Sequence, residues 1–313
     1  MAVQQSIELA AGLNPSDLYP SNKLLYVIGR MGAQRLHKEV DRILGDIVDE
    51  HRKSQRTAKI GVKEVNEDLV DVLFFFFEKH VDVLLKYEEH GGLGFHLTAD
   101  NIKAVILDLY AAGSETTATI VTWAMSEMMK NPRVMEKAQG EVRQFFDRKG
   151  CVDEIAFSHL DYLKLVIKET LRFHHPLLLL LPREFREKCE INGYEIPFKS
   201  KVLINAWTIG RDPSLWNDAE RFYPERFLGS SIDFKGTNFE YIPFGAGRRM
   251  CPGIASGLVS VEFILALLLY HFDWKLPNGI HHQDLDMSES FGVTARRKYD
   301  LFAIPSPHQP SLE

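Results

Sequence analysis

The sequence predicts a mainly α-helical protein with small β-sheets. Apolar residues recur at helical spacing over long stretches, notably from Leu24 to about Arg56 and from Asp100 to Lys130. After Pro176 the spacing shortens, and the Asn192-Gly193 pair predicts a hairpin turn between short strands. A further apolar run from Ile254 to Phe272 predicts a last long helix, so helices dominate the expected fold.

Length and composition indicate an ordinary globular protein. The chain has 313 residues, 45% hydrophobic and 26% charged, with a formal net charge of -6, and can bury a sizeable core. No linker-like stretch divides it, so we expect a single domain over residues 1–313. The mild acidity argues against nucleic acid as a partner. Three cysteines without Cys-x-x-Cys spacing argue against a disulfide scaffold or structural zinc site.

The helices of the first half have recognisable ends. Thr98 is predicted to cap the longest helix and Asn131-Pro132 to end it. Ser158 with Asp161 forms a predicted capping box for a later helix, in which His174 and His175 are expected to be helix-end residues rather than ligands. The first long helix carries one apolar stripe, formed by Leu36, Val40, Ile43, Leu44, Ile47 and Val48.

One stretch between these helices repeats. Val70-Asp71-Val72-Leu73 recurs as Val81-Asp82-Val83-Leu84, with four phenylalanines, Phe74 to Phe77, in between. The spacing is close to three helical turns, so one helix could place both copies on the same face. An ordinary apolar helix and a small duplication or insertion both account for the repeat.

Short strands and turns are expected in the second half. Leu177 to Leu181 is predicted as a buried strand and Val202 to Asn205 as another, while Asp212-Pro213 is predicted to start a short helix. Val293-Thr294 and Leu301 to Ile304 are expected to form a terminal hairpin.

The chemistry centres on a glycine-rich loop that precedes the last helix. It places Cys251 where a thiol faces unpaired backbone N–H groups and the positive end of the helix dipole, which favours the thiolate. Its glycines let a flat ligand approach the backbone, Phe244 offers an aromatic wall, and Arg248 and Arg249 can hold anionic groups. These features suit a haem whose iron takes the thiolate and whose propionates need arginine. A buried structural cysteine beside a tight turn is the alternative.

The loop resembles the haem-binding signature of the cytochrome P450 family. The matching positions are Phe244, Gly247, Arg249, Cys251 and Gly253. The resemblance implies the C-terminal portion of that fold, with haem b between the long central helix and the cysteine-loop helix. Cys251 would be the axial metal ligand and Arg249 would reach a propionate.

The long helix carries a second motif. It contains Ala-Gly-Ser-Glu-Thr-Thr at 112–117, and a mid-helix glycine costs about 1 kcal/mol relative to alanine. Gly113 lets a flat group or O₂ lie against the backbone, and a threonine hydroxyl beside a carboxylate can relay protons to oxygen. This resembles the family's oxygen-activation motif, which makes Glu115 and Thr116 the implied catalytic pair. A polar stripe that faces solvent is the alternative.

A third group has a structural role in the family. Glu169 and Arg172 lie at i, i+3 on one helix and can pair. They resemble the Glu-x-x-Arg motif, and Pro224-Glu225-Arg226-Phe227 resembles the segment whose arginine completes that ion network. The implied role of Arg226 is to fix the chain before the haem loop.

Further positions follow from the resemblance. Arg183 matches a residue that reaches a haem propionate, and His175 stands where family members often have proline. The positions that match pocket-lining segments are apolar and imply a hydrophobic substrate, although plain core packing would look the same; they are Leu177, Leu178, Leu179, Phe291 and Val293.

Two short segments resemble the corresponding segments of plant microsomal members of the family; they are Asn205-Ala206-Trp207 and Gly210-Arg211-Asp212-Pro213. The resemblance implies a monooxygenase that takes electrons from an NADPH-dependent flavoprotein reductase. It would insert one atom of O₂ into a lipophilic secondary metabolite such as a terpenoid, alkaloid or phenolic. The implied location is the cytosolic face of the endoplasmic reticulum membrane.

Set against the family pattern, we expect the chain to lack the N-terminal membrane anchor, the proline-rich hinge and the early haem-contacting helix of family members. We therefore expect a truncated product, which could be cytosolic. Two alternative functions stay open. One is a fragment that does not bind haem productively, and the other is a reductase-independent, peroxide-rearranging haem–thiolate enzyme. Relatives of the latter lack the acid–alcohol pair that Glu115 and Thr116 resemble.

Overall fold

The computed structural model describes residues 23–57, 81–147, 159–290 and 292–308. The chain divides into two compact units, Met1–Glu115 and Thr116–Glu313. The single domain expected over residues 1–313 stays a prediction. Most of the Val70–Leu84 repeat, Ser158 and Phe291 lie outside the described residues.

The first unit is helical. It contains helix α1 (Lys23–Thr57), a helical segment α2 at residues 81–90, and the start of helix α3 (Ala99–Lys130). Arg52 and Glu88 join α1 to α2 through two hydrogen bonds of 2.8 and 2.7 Å. Four members of the predicted stripe are buried in the core of this unit, which is formed by Leu36, Val40, Leu44, Val48, Val81, Leu85, Leu97, Ile102 and Ile106.

The predicted cap of the long helix is confirmed. Thr98 Oγ1 accepts a hydrogen bond from the Asn101 N–H at 3.2 Å, and Asn101 Oδ1 accepts one from the Thr98 N–H at 3.1 Å. This reciprocal pair satisfies two N–H groups at the helix start, as a capping box does. The helix ends at Lys130, directly before Asn131-Pro132, as predicted.

The next two helices, α4 (Pro132–Phe146) and α5 (Asp161–Phe173), pack against one another. Leu160 occupies the N-cap position of α5 without a side-chain hydrogen bond. The first turn of α5 is instead capped by Glu141 of α4, which accepts from the Tyr162 and Leu163 N–H groups at 2.7 and 2.9 Å. A carboxylate at this place also complements the positive end of the helix.

The Asn-Gly turn is confirmed. Strands β2 (Cys189–Ile191) and β3 (Tyr194–Ile196) pair antiparallel, with Cys189 opposite Ile196. Asn192 has φ 49° and Gly193 has φ 81°, the left-handed pair that a two-residue hairpin requires. A second small sheet pairs β1 (Arg183–Glu184) with β4 (Lys201–Val202).

The strand predicted over Leu177 to Leu181 is wrong. This segment forms turns, Leu179 and Leu181 are 45% and 61% exposed, and Leu180 has φ 52°, which no strand accommodates. The strand predicted from Val202 to Asn205 is only partly right, because β4 ends at Val202.

The short helix predicted to start at Asp212-Pro213 is wrong, because turns follow Asp212 and the helix of this region lies before it. Helix α6 spans Ala206–Gly210, and the Asn205 side chain caps it by accepting from the Thr208 N–H at 3.0 Å. Asp212 instead accepts from the N–H of Ser214 at 2.8 Å, which closes a turn and not a helix.

The last long helix, α7, spans Ile254–His271 and leads straight into β5 (Phe272–Lys275). The terminal hairpin predicted between Val293-Thr294 and Leu301 to Ile304 is wrong. Strand β6 (Ile304–Pro307) pairs with β5, because the extended chain leaving α7 offers it a free edge. Separately, an antiparallel bridge pairs Glu289 with Arg297, so the chain reverses between these two residues, which bound what we call the 289–297 turn; its Phe291 is outside the described residues.

Within the described part of the chain, one helix has the length and the apolar composition that crossing a membrane requires, and that helix is α7. Its Val261, Leu265 and Leu269 are buried in the core of the second unit, together with residues of α4 and α5. The cysteine loop therefore stands at the N-terminus of a helix that is anchored in this core.

Candidate functional site

The cysteine loop is closed by its own backbone. The Cys251 N–H donates to the Phe244 carbonyl at 3.0 Å, and the Met250 N–H donates to the Gly247 carbonyl at 3.1 Å. A short 3-10 turn, Gly247–Arg249, lies between these two bonds. Backbone hydrogen bonds thus define the conformation of the loop. Because side chains do not take part in these bonds, the loop depends on residues that can adopt the required backbone angles.

Two of its glycines are required by those angles. Gly245 and Gly247 have φ of 71° and 74°, which L-residues with a Cβ rarely adopt. A Cβ built on either glycine would meet no atom within 4 Å, so this side of the loop is open. At Gly253, a Cβ would lie 3.9 Å from the Cys251 Sγ. The loop therefore has open space at Gly245 and Gly247 and places the backbone of Gly253 near the sulfur.

Cys251 is exposed and lies just before α7, which begins at Ile254 with Gly253 as its N-cap residue. This is the position that the sequence predicts for a thiolate ligand. Phe244 is half-buried and packs edge-on against Phe234, with ring centroids 5.6 Å apart. An accessible sulfur next to an open, glycine-lined backbone fits a haem with a cysteine axial ligand.

Two of the predicted cofactor-binding arginines lie next to each other. Arg183, on β1, donates from Nη2 to the backbone carbonyl of Arg249 at 3.1 Å. Arg249 is exposed, as is Arg248 beside it. The edge of the loop therefore carries several guanidinium groups, which suits a ligand with carboxylates.

The structure joins Glu169 and Arg172 on α5. Arg172 donates from Nε and Nη2 to the two carboxylate oxygens of Glu169, each at 2.8 Å, and neither side chain has any exposed surface. The guanidinium also donates to the carbonyls of Gly210, Ala219 and Arg221. Every charge in this buried pair is thus hydrogen-bonded, as burial demands.

Arg226 completes this network. It lies in the 3-10 turn Pro224–Phe227 and donates from Nε to Glu169 Oε1 at 3.0 Å. Its Nη groups donate to the carbonyls of Asn217, Asp218 and Arg221. The two arginines therefore tie the irregular chain between α6 and the cysteine loop to α5.

The contacts of the neighbouring Glu225 were not predicted from the sequence. Its carboxylate accepts from Arg133 and Lys137 of α4, and from the Tyr162 hydroxyl of α5 at 3.1 Å. The Arg133 guanidinium is the main cause that lowers the pKa of Glu225 to about 2, and burial raises the pKa of Tyr162. Two adjacent residues of one turn thus bind the helix pair, Glu225 through α4 and α5 and Arg226 through α5, and the sequence carries no local signal for the contacts of Glu225.

Gly113, Glu115 and Thr116 lie within the unbroken helix α3. Gly113 is exposed and the other two are half-buried. The division between the two units falls between Glu115 and Thr116. The role of these residues in a site with Cys251 stays a prediction.

The predicted pocket residues follow the end of α5. Leu177 and Leu178 are half-buried, whereas Leu179 and Val293 are exposed. The Leu178 and Leu179 carbonyls accept from the N–H groups of Trp207 and Ile204 at 3.1 and 3.3 Å. The turn that carries Val293 is joined to this segment, because the Ala295 N–H donates to the Pro176 carbonyl at 2.9 Å.

Comparison with known proteins identifies relatives over nearly the whole chain. A family model described as Cytochrome P450 matches residues 2–301. The chain is 53% identical over 306 residues to desmethyl-deoxy-podophyllotoxin synthase of Sinopodophyllum hexandrum. It is 50% identical over 313 residues to premnaspirodiene oxygenase of Hyoscyamus muticus and 49% identical over 306 residues to salviol synthase of Salvia pomifera.

These alignments cover 97%, 99% and 97% of this chain, which spans 58%, 60% and 58% of the length of the respective relatives. A solved zebra fish cytochrome P450 with abiraterone matches with a TM-score of 0.68 and 24% identity, covering 88% of this chain and 60% of that one. This likeness confirms the predicted fold class, mainly α-helical with small sheets.

Proposed function

Because the chain belongs to the cytochrome P450 family, we propose that it is a haem–thiolate monooxygenase in which Cys251 holds the iron. The observation that carries the proposal is the hydrogen-bonded loop, turned by Gly245 and Gly247 at positive φ, that presents an exposed Cys251 just before α7. The proposed substrate is a lipophilic plant secondary metabolite, such as a terpenoid, alkaloid or phenolic. The names of the relatives, an oxygenase and two synthases from plants, support this class.

A bound haem supplies the one-electron and O₂ chemistry of such a reaction. The residues of the chain hold and orient it. Cys251 would hold the iron through its sulfur, and the N-terminus of α7 would stabilise negative charge there. Arg183 and Arg249 would pair with the propionates, and the Arg183 hydrogen bond to the Arg249 carbonyl keeps these two residues together. The loop glycines would leave space for the flat ring.

Proton delivery is assigned to the acid–alcohol pair. With haem and O₂ bound, the Thr116 hydroxyl group would hold a proton for transfer, and the Glu115 carboxyl group would replace that proton. The Glu169–Arg172–Arg226 network supports the site at a distance, since it fixes the chain that leads to the cysteine loop. Electrons come from an NADPH-dependent flavoprotein reductase, and the proposed location is the cytosolic face of the endoplasmic reticulum membrane.

A spectrum of the full chain tests this function. After haem loading, the protein is reduced and exposed to carbon monoxide. We expect the long-wavelength Soret band of a thiolate-ligated carbonyl. A band typical of nitrogen ligation, or no haem uptake, would favour the non-catalytic alternative. Product formation from a hydroperoxide without reductase would favour the peroxide-rearranging alternative.

A further inference from the structure

The two adjacent histidines at the end of α5 are both buried. His174 and His175 are each only 3% exposed, although they lie where the helix gives way to turns. Buried polar rings are retained at a cost unless they are hydrogen-bonded. The contacts of these two rings therefore indicate what they hold in place.

His174 is held by α3 on one side and by the 289–297 turn on the other. Its Nε2 lies 2.7 Å from Glu127 Oε1, and its ring stacks on Trp123 with centroids 3.8 Å apart and planes within 6°. Its Nδ1 lies 3.7 Å from Glu289 Oε1, and Glu289 in turn lies 3.8 Å from Arg211 Nη2. The ring is thus placed by stacking on Trp123 and by its polar contacts with the two carboxylates.

Further hydrogen bonds connect Trp123, the 289–297 turn and the chain next to His174 into one closed network. The Trp123 indole donates from Nε1 to the Ala295 carbonyl at 2.7 Å, and the Ala295 N–H donates to the Pro176 carbonyl at 2.9 Å. His174 and Pro176 lie on either side of His175 in the chain. The turn that carries Val293 is therefore fixed against the segment that continues into Leu177.

His175 makes its contact with the cysteine loop. Its Nε2 lies 3.3 Å from the Ile242 carbonyl, which also accepts the Gly245 N–H at 2.9 Å. Burial lowers the pKa of His175 to about 4, so the ring is neutral at neutral pH. The base of the cysteine loop is thus joined to the residue two places before Leu177.

We propose that His174 and His175 are positioning residues that set where the Leu177–Leu179 segment stands relative to the cysteine loop, and so decide which lipophilic ligands the site accepts. Leu179 is exposed, and backbone hydrogen bonds from Ile204 and Trp207 tie this segment to the chain around the start of α6. The position of the segment also depends on the buried rings just before it. This inference rests on the proposed function.

Nitrogen ligands of the haem iron test the proposal on the full, haem-loaded chain. The affinities for imidazole and for the bulkier 4-phenylimidazole are titrated optically, and their ratio reports the space beside the iron. His174→Phe keeps the stack on Trp123 but removes the hydrogen bond to Glu127, and we expect it to change the ratio about tenfold. His174→Gln restores a hydrogen-bonding group and is expected to stay within about twofold. The thiolate–carbonyl band should persist in both.

A readout without haem separates this proposal from the proposed function. Hydrogen exchange is measured in the full chain before haem loading. His174→Phe should accelerate exchange at the Ala295 amide about tenfold and leave the Gly245 amide unchanged. His175→Phe should do the reverse, with exchange about tenfold faster at Gly245 and unchanged at Ala295. Exposed His281 serves as the control, since His281→Phe should change neither amide. Absence of the thiolate band together with the expected exchange pattern would overturn the function but not the positioning.

Unchanged exchange at both amides would overturn the positioning role. An unchanged affinity ratio in a His174→Phe protein that has lost stability would also overturn it, because the histidines would then serve packing alone. If His174→Phe fails to fold, Glu127→Gln tests the same hydrogen bond and should accelerate exchange at Ala295. No acceleration there would equally count against the proposal.

Discussion

Arg172 lies fully buried against Glu169, and its guanidinium matches both carboxylate oxygens at 2.8 Å. The same guanidinium donates to three carbonyls of the chain that leads to the cysteine loop. One short-range ion pair on α5 therefore determines the path of a long irregular segment. Loss of either charge would leave the other buried without its partner.

Removing that partner should be costly. Arg172→Ala is expected to lower the free energy of unfolding by about 3–5 kcal/mol, because Glu169 would stay buried and unpaired. Denaturant unfolding of the full chain measures this. Arg42→Ala is the matched control, since its pair with Asp46 is exposed, with both side chains about 70% accessible, and should contribute under about 1 kcal/mol. Equal effects of the two substitutions would contradict the structural role of the buried pair.

Replacement of the proposed ligand should change the spectrum and not the fold. Cys251→Ser is expected to abolish the thiolate–carbonyl band, and it should change the free energy of unfolding by less than about 0.5 kcal/mol because Cys251 is exposed. Cys189→Ser, in β2, should keep the band. A band that survives Cys251→Ser would show that another residue ligates the iron.

The loop glycines should be sensitive to any side chain. Gly247→Ala is expected to destabilise the protein by about 1–2 kcal/mol, because its φ of 74° is strained for a residue with a Cβ. Gly257→Ala, within α7, should instead stabilise it by about 1 kcal/mol, since a Cβ there meets nothing within 4 Å and alanine favours the helix. Thermal unfolding of both variants measures the change in stability that each substitution causes. Changes of the same sign in the two variants would be evidence against the loop conformation.

His175 should make stability depend on pH. Its pKa is lowered to about 4 by burial, below the usual 6.5, so the unfolded chain binds a proton more readily than the folded one. Stability present above about pH 6.5 should therefore decline as the pH falls towards 4, by up to about 3 kcal/mol from this group. His175→Gln should reduce the change in the free energy of unfolding between about pH 6.5 and pH 4. Parallel pH profiles for the two proteins would exclude this origin.

Thr116 should govern the efficiency of oxygen use if the proposed proton relay operates. Thr116→Ala is expected to divert reducing equivalents from product to peroxide or water, with product per NADPH falling about tenfold. Thr116→Ser keeps a hydroxyl and should retain most of the coupling. Product and NADPH are measured together with the reconstituted reductase. Unchanged coupling in Thr116→Ala would remove this residue from the catalytic pair.

Local features of the fold were predictable from the sequence. The Thr98 cap, the end of α3 before Pro132 and the Asn192-Gly193 turn depend on residues within a few positions of one another. The place of Cys251 before α7 is of the same kind, since glycines and a following apolar run are read directly. The i, i+3 spacing of Glu169 and Arg172 likewise put a short-range pair within reach.

Contacts between distant segments were not predictable in this way. Nothing near Glu141 indicates that it caps α5, and Glu225 and Glu127 reach partners on other elements. The leucine run from Leu177 illustrates the limit most clearly, because its composition favours a buried strand whereas the segment forms turns in which Leu179 and Leu181 are exposed.

The sequence by itself determined the helices, the hairpin turn and the thiol at a helix start, because backbone angles and helical spacing are set by neighbouring residues. Only the tertiary structure decided that two buried histidines join α3, the cysteine loop and the 289–297 turn. The partners of those rings lie 47, 67 and more residues away along the chain. Their meeting depends on how the packed helices bring distant polar groups together where water cannot satisfy them.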